Sequence, residues 1–102
     1  MRHASQSCVL LPQRSETLRV GPVDAPCLLI AVHDRAASHV LVIRCTVGPE
    51  SLLDGSPQSL ETFAREDHPI VVAAGLVVHL KLQNCGHSTI NVQVGLWQRG
   101  AI

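Results

Sequence analysis

In residues 76–84 the apolar Leu76, Val78, Leu80 and Leu82 alternate with Val77, His79, Lys81 and Gln83. Residues 89–97 repeat the pattern, with Ile90, Val92, Val94 and Leu96 set against Asn91, Gln93, Gly95 and Trp97. Alternation of period two puts one set against a core and the other in solvent, which is the requirement of a half-buried β-strand and not of a helix. Residues 85–89 between them include a glycine and suit a hairpin connection. The pattern therefore predicts two paired strands sharing one outward face. That face carries Val77, His79, Lys81 and Gln83 on the first strand and Asn91, Gln93 and Trp97 on the second. Its polar middle and apolar ends suit contact with another protein chain, and Trp97, the only Trp, is the natural anchor.

Upstream, turn signals come at short intervals: Pro12, Gly21-Pro22, residues 34–38, Gly48-Pro49, Asp54-Gly55-Ser56-Pro57, His68-Pro69, Gly75 and Gly86. Short runs rich in Val, Ile and Leu lie between them, so strands are expected at 8–11, 17–20, 27–32, 40–47 and 70–73. The fold class that follows is all-β, an antiparallel sandwich of seven or eight strands, jelly-roll or immunoglobulin-like. Residues 27–32 and 40–43 are apolar on both faces, so they belong in central strands covered by the opposing sheet on one side and by a loop or another subunit on the other. Ser56-Pro57 can cap a helix, and Leu60, Phe63 and Ala64 have helical spacing, so a short helix fits 57–65 as well as a strand does. Residues 1–7 are polar and read as a flexible N-terminal arm, leaving 8–102 as a single sandwich domain.

Composition narrows the function. With 46% hydrophobic and 16% charged residues in 102, the chain can form one core and is not of disordered type. That core must be aliphatic, because there is one Phe, one Trp and no Tyr. Lys plus Arg and Asp plus Glu number 8 each, so no net field draws in a phosphate backbone and no nucleic-acid partner is expected. Between positions 50 and 67, Glu50, Asp54, Glu61, Glu66 and Asp67 face only Arg65, which reads as a solvated loop or an acidic contact patch. No apolar run approaches the roughly 20 residues that cross a bilayer, and residues 1–7 lack a signal-like apolar stretch. The expectation is a soluble chain without a membrane partner, cytoplasmic unless it belongs to a virion. Cys8, Cys27, Cys45 and Cys85 are widely spaced within apolar stretches and read as reduced core thiols.

Constellations for chemistry are weak. Cys85-Gly86-His87 sits in a loop between strands, as blue-copper ligands do, but such a site needs a further His and usually an axial Met, and the only Met is Met1. Zinc sites pair Cys or His about two to five residues apart, and these cysteines are far more widely spaced. There is no Gly-x-Ser-x-Gly elbow and no Gly-rich phosphate loop, and His33-Asp34-Arg35 reads as a polar turn. No catalytic residue, metal or cofactor is assigned. Two rival classes stay open. A carbohydrate-type binding module would need an aromatic platform from Trp97 and Phe63, and a small enzyme or metalloprotein would need His33, His39, His79 or His87 to converge with Cys85 or Asp34.

The C-terminal third, Ala73-Ala74-Gly75 followed by Val78-x-Leu80-x-Leu82-Gln83-Asn84-x-Gly86 and Ile90-x-Val92-x-Val94-Gly95-Leu96, resembles the closing hairpin of small β-sandwich structural proteins of tailed bacteriophages, of the head-decoration or fibre-associated type. The resemblance covers about 25 residues and implies a non-enzymatic sandwich that forms a homo-oligomer or docks on a capsid or tail protein. It carries no site residues with it.

Overall fold

Nine strands make up the fold in the computed structural model, which describes residues 2–34, 38–53, 55–65 and 67–98. They are β1 (Arg2–Leu10), β2 (Ser15–Val20), β3 (Cys27–His33), β4 (Val40–Val47), β5 (Glu50–Ser51), β6 (Gln58–Ser59), β7 (Ile70–Val72), β8 (Val78–Asn84) and β9 (Ile90–Gln98). Arg35, Asp54 and Glu66, named above, lie outside the described residues. Two antiparallel sheets result. Sheet A has the order β1-β9-β3-β7, and sheet B the order β2-β8-β4-β5 with β6 also paired to β4. The chain is the expected antiparallel β-sandwich. Its nested pairs β1–β9, β2–β8, β3–β7 and β4–β5 are those of a ribbon folded over on itself, the jelly-roll connectivity, and not the division of an immunoglobulin sandwich.

Three local expectations are corrected. First, β8 and β9 do not form a hairpin: β8 lies in sheet B between β2 and β4, and β9 in sheet A between β1 and β3. A five-residue link spans the roughly 10 Å between packed sheets as readily as the roughly 5 Å between paired strands. Alternation within β8 and β9 is the same in both arrangements, so partners distant in sequence decide. Second, residues 2–7 are the first part of β1, paired with β9 from Arg2↔Trp97 to Leu10↔Ile90. Third, 57–65 holds no helix: Thr62 N donates to Ser59 O (3.1 Å) and Phe63 N to Leu60 O (3.3 Å), two tight turns and nothing longer. Ala64 then leaves helical space at φ 47°, and its carbonyl accepts from Ala31 N (3.0 Å), extending the protection of the β3 edge beyond β7. The helical spacing still picked out buried residues, since Leu60, Phe63 and Ala64 are all in the core.

The core lies between the sheets. Along β8 the alternation is complete, with Val78, Leu80 and Leu82 buried and His79, Lys81 and Gln83 exposed. Opposite them Cys27, Leu29, Val94 and Leu96 of sheet A are fully buried, each large side chain worth about 1.5–3 kcal/mol over leaving it in water. β3 and β4 are central, as their two-sided apolarity predicts. In β4 the register against β8 shifts between Val42 and Arg44, a bulge at Ile43. Val40 and Val42 before it, and Cys45 and Val47 after it, all face the core.

One end of the sandwich is closed by polar bonds. Asn84, the one buried polar residue described, donates from Nδ2 to Leu10 O (3.1 Å) and Ser88 O (2.7 Å), while Oδ1 accepts from Gly86 N (2.9 Å). Its backbone joins the β1–β2 turn through Asn84 N to Arg14 O (2.9 Å) and Gln13 N to Asn84 O (2.8 Å). At the other end Gly48 N donates to Val77 O (2.9 Å) and Gly75 N to Val23 O (2.7 Å). Gly48 sits at φ 58° with the Leu76 side chain against its Cα, where a Cβ would come within 2.9 Å of Leu76 Cδ2.

Candidate interaction surface

Because β8 and β9 occupy different sheets, the outward residues expected on one face lie on opposite sides of the molecule. Asn91, Gln93 and Trp97 are on the outer face of sheet A, and His79, Lys81 and Gln83 on that of sheet B. Val77 precedes β8 in the connecting segment and is half-buried.

The outer face of sheet A carries an apolar strip beside the polar Asn91 and Gln93. Pairing aligns Trp97 with Leu28 and Leu28 with Val71, so β9, β3 and β7 each place an apolar group in one row. Ile30 and Val32 continue the strip along β3. Val71, Val32 and Trp97 are 52%, 53% and 39% exposed, and Val9 on β1 is 57% exposed. Four of the six large apolar side chains exposed among the described residues are thus on this one face. Single exposed apolar residues are ordinary, whereas their concentration on one flat sheet is the mark of a contact surface. Sequence reasoning found Trp97 but not Val9, Leu28, Ile30, Val32 and Val71. The two-sided apolarity of 27–32 was the available signal, and what it lacked was the pairing with β9.

At the upper edge of this face an open hollow of about 490 Å³ is lined by residues that include Ser7, Val9, Val32 and Gln93. The Asp34 carboxylate beside it is engaged by Asn91, which donates from its backbone N to Oδ1 (2.9 Å) and from Nδ2 to Oδ2 (2.6 Å). That fits the polar-turn reading of His33-Asp34, because these bonds carry the β3–β9 pairing past its last rung.

Of the residues considered for chemistry, Cys85, His39 and His87 come together and the others lie apart. Cys85 N donates to His39 O (2.7 Å), and His39 and His87 line the same small hollow beside Asn84. His33 ends β3, and His79 is on the outer face of sheet B. Among the described residues no three of His, Cys, Asp and Glu are grouped so as to hold a metal ion. Phe63 is buried, so it cannot join Trp97 in an aromatic platform. All four cysteines are unbridged, and the core-thiol reading holds for Cys27 and Cys45 but not for Cys85, which is exposed. Burial pushes the Cys45 thiol up to about 11. Burial first, and the Glu16 carboxylate second, push the Cys8 thiol up.

The outer face of sheet B is polar: Thr17 and Arg19 from β2, His79 and Lys81 from β8, and Arg44 and Thr46 from β4. The molecule is therefore a small jelly-roll sandwich with an apolar strip on the outer face of sheet A and a polar outer face on sheet B that carries Arg19, Arg44 and Lys81. No family model, curated protein or solved structure matches the chain.

Proposed function

We propose that this chain is a non-enzymatic structural or interaction protein that works through the outer face of sheet A. Its most specific form is an accessory protein of a phage virion, of the capsid-decoration or fibre-associated type. The observation that carries the reading is the apolar strip of Val71, Leu28, Trp97, Ile30 and Val32 on one exposed sheet. A partner covering it would bury apolar area around an aromatic anchor, the usual centre of an interface. The fit to a virion accessory protein comes from the jelly-roll connectivity and the phage-protein resemblance of the C-terminal third.

Self-association has a second support in β1, a sheet edge with no charge or proline from Ala4 to Leu10 and regular pairing to β9 over that stretch. The other edges are blunted. β7, β5 and β6 are three residues or fewer, and β2 carries Glu16 and Arg19 between Pro12 and Pro22.

The test is light scattering across a concentration series, with Trp97→Ala beside the parent. The expected result is assembly by the parent and a dissociation constant raised about 30-fold in Trp97→Ala, the size of an interface hot spot. A parent that stays monomeric at high concentration, with Trp97→Ala binding a capsid or tail protein no less well than the parent does, removes the reading.

A further inference from the structure

The geometry points to the outer face of sheet B as a binding site for an oxyanion, a phosphate or sulfate group held between Arg44 and Lys81. Pairing places Lys81 directly between Thr17 on β2 and Arg44 on β4, and His79 between Arg19 and Thr46. Thr17, Arg44, Thr46, His79 and Lys81 line one hollow of about 410 Å³. Two cations, an imidazole and two hydroxyls there can donate to an anion, and Arg can do so through its fork of N–H groups. None of the described acids is turned to this face. Glu16, the one acid in β2, β4 and β8, has the parity of the buried Leu18 and Val20 and sits beside Cys8 at the rim. Among the described residues Arg19, Arg44, His79 and Lys81 make no ion pair or side-chain hydrogen bond.

This arrangement is costly without a ligand. Like charges directly opposite on neighbouring strands destabilise a sheet, and Lys81 and Arg44 are such a pair. The bulge at Ile43 creates it. Continued alternation from Val40 and Val42 would turn Arg44 inward, and the extra residue aims it outward beside Lys81 instead. Bulges are devices for re-aiming a side chain. An anion between the two cations turns their repulsion into two attractive contacts.

The test is titration of the whole protein with inorganic phosphate against chloride at matched ionic strength, followed by amide chemical shifts. The expected result is saturable movement of Thr17, Arg44, Thr46, His79 and Lys81 with a dissociation constant on the order of millimolar, as suits one exposed group. Lys81→Gln should weaken it about ten-fold, while Arg14→Gln, on the β1–β2 turn, leaves it unchanged. Lys81→Gln should also melt about 3 °C higher than the parent in anion-free buffer, because it removes the opposed charge. A polyphosphate chain distinguishes the source: much tighter, steeply salt-dependent binding marks an anionic polymer as the natural ligand, and equal binding per phosphate marks a free anion. No saturable shift with either probe, or a Lys81→Gln variant that melts lower than the parent, overturns the proposal.

Discussion

Replacing Asn84 by Ala should be among the most damaging single changes at the loop end of the sandwich. Asn84 is 1% exposed, and its side-chain amide satisfies three backbone groups: Leu10 O, Ser88 O and Gly86 N. Each such bond contributes about 1 kcal/mol net, and partners left buried and unpaired add to the loss. The expected cost is therefore about 3 kcal/mol, a melting point lower by about 15 °C in a domain of this length. Gln83→Ala, next in sequence but exposed, should cost less than about 0.5 kcal/mol. Asn84→Asp sharpens the test. Its carboxylate would accept from Gly86 N but face the Leu10 and Ser88 carbonyls with no proton to donate. The folded state then favours the protonated acid and raises its pKa above the unfolded value near 4. Between those two values the folded state binds more protons, so stability falls as pH rises; the penalty is present at pH 7 and relieved below about pH 4. Chemical denaturation at pH 7 and pH 4 reads both. A loss under about 1 kcal/mol in Asn84→Ala, or an Asn84→Asp penalty that is the same at both pH values relative to the parent, would refute this account of the clasp.

Leu80, fully buried, should lose about 3 kcal/mol as Leu80→Ala, whereas Val71→Ala and Val32→Ala on the outer face of sheet A should each lose less than about 0.5 kcal/mol by denaturant melts; comparable losses would mean those valines serve the fold and not a partner. Iodoacetamide at pH 8 should modify Cys85 in the native protein while sparing Cys45, whose thiol lies near 11. All four cysteines should react in denaturant, and intact-mass analysis with peptide mapping would show native labelling of Cys45 if the burial were wrong.

The sequence-based expectations succeeded where the information is local. Turn residues and alternation located β2, β3, β4, β7, β8 and β9 to within a few residues, because parity and glycine or proline chemistry are properties of adjacent positions. They also identified which side chains of β8 and β9 face outward. Pairing is not local, and the hairpin expectation failed there. Nothing in residues 85–89 states whether the strand after them returns to its own sheet or crosses to the other. The first part of β1 was missed for a related reason: Ser5, Gln6 and Ser7 have no apolar stripe because an edge strand leaves much of its side-chain surface in water, and its order comes from backbone bonds to β9. Arg44 was missed through the bulge, since one extra residue reverses parity without any sign in composition.

The same limit governs what net charge can say about function. Eight cations balance eight anions over the chain, which describes the distant field but not how the charges divide among surfaces. Folding gathers Arg19, Arg44 and Lys81 on the outer face of sheet B, while the outer face of sheet A carries Trp97 and the valines. Two sheets packed face to face point their outer faces in opposite directions. A chain seated on a partner through sheet A therefore turns Arg19, Arg44 and Lys81 away from that partner. The two proposed roles then need not compete, and Trp97→Ala and Lys81→Gln should each impair one and leave the other intact. Lost anion binding in Trp97→Ala, or weakened assembly in Lys81→Gln, would show that the two faces act as one site and that their separation across the sandwich has no functional meaning.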